Sequence, residues 1–147
     1  MMTSDFVPGA RRWLALLVVA GCTTGAAPVA TGSPSDLLGT WRGTSVCTDR
    51  TLAPACKDEV VVYEFTAGPT PGSVHWKADK VVGGERQTMG GFDLTWAVDR
   101  TCWAAEFQSP RMHSQWRLVV SGDSMTGTAI LLPSKAVVRR LALQREK

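Results

Sequence analysis

The chain has 147 residues, 44% of them apolar, with 16 Lys and Arg against 13 Asp and Glu. That length fits one domain, the apolar share excludes a disordered chain, and a net charge of +3 is too mild to point to nucleic acid. The strongly apolar run from Trp13 to Ala20 falls far short of the roughly 20 residues of a spanning helix, so a polytopic membrane protein is excluded too.

The segment Met1 to Arg12 ends in a basic pair, Arg11-Arg12, and the apolar run and Gly21-Cys22 follow it. That order is the order of an export signal, and it predicts a signal peptide over 1–21. Val19-Ala20-Gly21-Cys22 resembles the bacterial lipobox. The resemblance implies cleavage before Cys22, a diacylglycerol on its sulfur and acylation of the new amino group. Two or three acyl chains, at ~0.8 kcal/mol per buried CH2, hold a protein stably on a bilayer. The expected partner is therefore a lipid bilayer, and the expected place is the cell envelope. Thr23, where an Asp would favour retention at the inner membrane, points to the periplasmic face of the outer membrane. Thr23 to Ser35 contains only Ala, Gly, Pro, Ser, Thr and Val, so a flexible tether is expected over 22–36.

From Leu37 onward, short apolar alternations recur with turn residues between them, which predicts strands. Leu38 to Cys47 is the first. Glu59 to Thr66 is the second, rich in β-branched and aromatic residues. The run Ala67-Gly-Pro-Thr-Pro-Gly72 turns the chain into a third strand, Ser73 to Val82. Gly83-Gly84 and Gly90-Gly91 bracket a looser stretch. Phe92, Leu94, Trp96 and Val98 then alternate with polar or small residues in a fourth strand. The fifth carries Trp103, Ala105 and Phe107 on one face, and the sixth Trp116, Leu118 and Val120. Ser121 to Ser124 fits a two-residue hairpin leading into a seventh strand, Met125 to Leu132. Ser134 is able to cap a short helix, but Val137-Val138 favours an eighth strand over Ala136 to Arg145. The prediction is an all-β domain over 37–147, an antiparallel up-and-down barrel of eight strands, closed because closure removes the sheet edges.

Gly39-Thr40-Trp41 on strand one of such a meander resembles the lipocalins and the wider calycin superfamily. The resemblance implies that Trp41 plugs one end of the barrel under an arginine of the last strand, Arg139 or Arg140, in a cation–π contact. It also implies an apolar or amphipathic ligand, with Trp41, Trp76, Trp96, Trp116 and Arg139 as candidate binding residues. An eight-stranded barrel is wide enough to be filled by its own side chains or to hold one small ligand, so these aromatics fit a packed core as well.

With Cys22 lipidated, Cys47, Cys56 and Cys102 allow three pairings. Export brings oxidising conditions, and Cys47 and Cys56 flank one loop, so that pair is the expected disulfide. Cys102 is then a free, packed thiol. No Cys-x-x-Cys or His/Cys cluster suggests a metal, and no cofactor is expected. Gly43-Thr-Ser45-Val-Cys47 lacks the second glycine of a nucleophile elbow, and His75, His113, Asp93 and Asp99 show no catalytic spacing. The expectation is a non-catalytic binding lipoprotein. The alternatives are a protein-interaction lipoprotein, such as an inhibitor of a cell-wall hydrolase acting through the loop Thr48 to Ala55, or a structural envelope component.

Overall fold

The computed structural model describes residues 32–147. The signal peptide, Cys22 and most of the expected tether lie outside the described residues. The chain begins with a single helical turn, α1 (Pro34–Leu37), followed by β1 (Gly39–Cys47), β2 (Glu59–Ala67), β3 (Val74–Val82) and β4 (Glu85–Ala97). A 3-10 turn, Val98–Arg100, leads to β5 (Cys102–Ser109), β6 (Met112–Ser121), β7 (Ser124–Leu131) and β8 (Val137–Arg145). Each strand pairs antiparallel with the next and β8 returns to β1, closing the barrel. The expected eight-stranded architecture is present.

Two local features differ from expectation. Pro34 to Leu37 is helical although the tether was expected to run to residue 36. Pro34 presets the first helical φ, and the Asp36 carboxylate accepts a hydrogen bond from the Ser33 backbone N–H at 3.2 Å. The stretch after Gly83-Gly84 is ordered strand, not loose chain. The two glycines take φ of +62° and +86° in a tight hairpin, and β4 starts at Glu85. Gly90 and Gly91 lie within β4, where a side chain on Gly91 would press on the His75 ring 3.2 Å away.

Strand parity sets the inside. Trp41, Tyr63, Phe65, Val74, Trp76, Leu94, Trp103 and Leu118 are all buried. Burying each of these large apolar side chains contributes roughly 1.5–3 kcal/mol. Gly43 of β1 faces β8 where a Cβ would collide with the Ala142 carbonyl and the Leu143 Cα, so the two strands approach more closely than any larger residue permits.

The wall is uneven. β4 joins β5 only through Thr95–Ala104, Trp96–Trp103 and Ala97–Cys102. From Leu94 back to Glu85, β4 is paired on its β3 side alone, and β5 from Ala105 to Ser109 is paired on its β6 side alone. The barrel is therefore sealed at the end where α1 sits and parted between β4 and β5 toward the other.

Candidate functional site

At the sealed end, Trp41 is fully buried and its indole N–H donates to the Leu37 carbonyl at 2.8 Å. The arginine over its ring is Arg145, with the guanidinium carbon 4.2 Å from the ring centroid. This corrects the expectation of Arg139 or Arg140. The β1–β8 register places Trp41 opposite Arg145 and Cys47 opposite Arg139. Arg145 also donates to the carbonyls of Leu38 and Asp36, tying α1 across the barrel floor. Trp96 lies at this end as well, edge-on to Trp103 with ring centroids 5.6 Å apart. It borders a cavity of about 350 Å3 shared with Asp36, Val120 and Arg145.

At the opposite end, Arg139 points inward and is consumed by the chain's own acceptors. It donates to the Ser45 hydroxyl at 2.7 Å, the Glu59 carboxylate at 3.1 Å and the Lys57 carbonyl at 3.0 Å. It also reaches the Cys56 Sγ at 3.1 Å. The expected disulfide, Cys47–Cys56, is formed here with Cα atoms 6.0 Å apart. Asp58 accepts from the Cys47 backbone N–H at 2.8 Å and pairs with Arg50 at 3.1 Å. The backbone donor first, and Arg50 with it, hold the Asp58 carboxyl below the usual range. The Asp49 carboxylate caps the amides of Thr51 and Leu52, and the Thr48 hydroxyl donates to the Val137 carbonyl. The loop between the cysteines is thus fixed from behind, with Leu52 at 49% exposure. Below it, burial raises the Tyr63 phenol well above its ordinary pKa, so the ring stays neutral.

Between the two ends stands a column of rings. Trp76 contacts Tyr63, Phe92 and Trp116 at centroid distances of 4.7, 5.2 and 5.4 Å. Phe92 meets Phe107 edge-on at 5.5 Å, bridging the parted stretch between β4 and β5. The column occupies much of the interior, and Phe92, Phe107 and Trp116 are half-buried where the wall parts. Among the described residues, the indole N–H groups of Trp76 and Trp116 and the Ser114 hydroxyl have no hydrogen-bond partner. Trp76 and Ser114 are each only 1% exposed. A buried donor left unpaired costs about 1–3 kcal/mol, so an acceptor that reached these groups would gain by pairing them.

Of the candidate binding residues, the structure brings Trp76 and Trp116 together. Arg139 shares a row with Trp116 across Ala129, but its donors are already engaged. Trp41 and Trp96 lie at the sealed end. Phe92, Phe107 and Ser114 belong to the site and were not singled out from sequence, although the inward parity of both phenylalanines was readable. Cys102 is a buried free thiol whose pKa burial raises, which leaves it unreactive. No group of three His, Cys, Asp or Glu side chains among the described residues is placed to hold a metal ion. Comparison with protein-family models, with curated proteins and with solved structures finds no match to this chain.

Proposed function

We propose that this chain is an envelope lipoprotein, anchored through acylated Cys22, whose barrel holds one small amphipathic molecule without transforming it. The observation that carries the reading is the trio of unpartnered donors, Trp76, Trp116 and Ser114, behind the stretch where β4 and β5 part. A carboxylate, hydroxyl or carbonyl head would satisfy those donors. An apolar body would lie against Phe92 and Phe107 and replace ring–ring contacts with ring–ligand contacts. Titration of intrinsic tryptophan fluorescence with dodecanoate, haem and farnesol tests it. A saturable change with one of them, weakened in Ser114→Ala, is expected; no saturable change with any of the three overturns it. Mass spectrometry of the Cys22 peptide from the membrane fraction tests the anchor, with a diacylglyceryl mass expected.

A second reading is favoured by the fixed loop. A segment already held in one conformation loses little entropy on docking, and Leu52 stands out from it. That would suit a protein-interaction lipoprotein, such as an inhibitor of a cell-wall hydrolase. A partner captured from envelope extract should then be lost when Thr48 to Ala55 is replaced by a Gly-Ser run of equal length.

A further inference from the structure

The outer wall of the barrel carries a second concave surface, of about 470 Å3, crossing β6, β7, β8 and β1. Its shape follows from register. Arg117, Thr128, Arg140 and Val46 form one outward row across these strands. Val119, Thr126, Ala142 and Thr44 form the next. In the first row Thr128 lies low between the two arginines, and the second row carries only short side chains, with Thr126 and Ala142 at its middle, so the surface is dished. Val46 and Val119 remain 41% and 47% exposed beside the arginines.

Two of the three arginines around this dish meet no carboxylate among the described residues. Among the described residues, Arg140 makes no ion pair and no side-chain hydrogen bond. Arg117 spends one N–H on the Gln115 side chain at 2.8 Å, which fixes its direction, and meets no carboxylate. A third arginine at the rim, Arg100, is answered by Asp99 at 3.5 Å. Arg117 and Arg140 are two strands apart on one row, a backbone separation of about 10 Å at roughly 4.8 Å per strand. Two long side chains are able to close that distance on a single anion seated over Thr128. Guanidinium forks match the geometry of phosphate oxygens, and the threonine hydroxyl adds a donor.

We infer that this outer groove binds an amphipathic phosphate ester, its phosphate between Arg117 and Arg140 and its apolar portion over Thr126 and Ala142 beside Val119. The site is separate from the barrel interior and does not rest on the reading given above. Calorimetric titration of the full chain with octyl phosphate, inorganic phosphate and phosphatidylglycerol vesicles tests it. Octyl phosphate should bind saturably and at least tenfold more tightly than inorganic phosphate. The double variant Arg117→Gln/Arg140→Gln should lose that binding with its unfolding midpoint retained. Arg111→Gln, at the exposed β5–β6 turn, should keep it. Vesicle binding in addition would identify a lipid headgroup as the source, and its absence a soluble ester. Failure of octyl phosphate to bind, or equal loss in Arg111→Gln, overturns the inference, whatever the vesicles do.

Discussion

The Arg145 guanidinium lies 4.2 Å above the Trp41 indole, and the last strand thereby locks onto the first at the sealed end. Arg145 also holds the carbonyls of Leu38 and Asp36, so one side chain joins β8, β1 and α1. Replacing it removes a cation–π contact worth ~0.5–2 kcal/mol and charge-assisted hydrogen bonds. Arg145→Ala should destabilise the fold by about 3 kcal/mol, with Arg145→Lys intermediate. Trp41→Phe keeps a ring under the cation but loses the bond to the Leu37 carbonyl, and should cost about 1 kcal/mol beyond its lost packing. Urea unfolding of the three variants checks the order.

The Cys47–Cys56 bridge closes a short loop, and its loss should cost about 2–3 kcal/mol. Because Arg139 grips the same segment, the double Cys47→Ser/Cys56→Ser variant should keep the barrel while its loop becomes sensitive to protease. Arg139→Ala should cost about 3 kcal/mol even with the bridge intact, since Glu59 is left partly buried without its partner. Limited proteolysis and thermal unfolding, with and without reductant, separate the two contributions.

Asp79 is a buried carboxylate on the outer side of β3. Burial alone would raise its pKa. The nearby Thr88 hydroxyl, the hydrogen bond from Arg86 and the charges of Lys77 and Arg86 outweigh burial and leave it lowered. A carboxyl lowered on folding stabilises the native state above the unfolded value of about 3.9, and that contribution disappears as pH falls through the folded value. Asp79→Asn should therefore cost about 1 kcal/mol at neutral pH, and the gap from the wild type should narrow below about pH 4. Unfolding midpoints followed from neutral to acid pH show whether the two curves converge.

Ser114 offers a test in which stability and binding move oppositely. Its hydroxyl is buried without a partner, so Ser114→Ala removes an unsatisfied group and should raise stability by up to about 1 kcal/mol. The same change removes one donor from the proposed ligand and should weaken binding about fivefold, a loss of roughly 1 kcal/mol. Chemical unfolding and the fluorescence titration on the same preparation give both numbers.

The strands were legible because each carries its own period of two, as Phe92, Leu94 and Trp96 do. What was not legible depends on register between distant strands. Which arginine covers Trp41 is decided by the β1–β8 pairing, which joins residues about a hundred positions apart and sends Arg145, not its neighbours, to the indole. The His75–Asp93 pair at 2.7 Å arises in the same way from the β3–β4 register. Gly90-Gly91 misled for a different reason. Glycine suggests a loop, but Gly91 is small because the His75 ring crosses close beside it. The parting of β4 and β5 is a shortage of pairing, which the period of two within either strand does not report.

The chain enters the barrel through α1 and leaves it at Arg145 on the same side, under the Trp41 plug. Anything holding the domain by its leading segment grasps it from below, with the disulfide loop and the parted wall uppermost. A reporter fused after Lys147 would likewise sit at the base and leave the rim clear for whatever approaches from the far side.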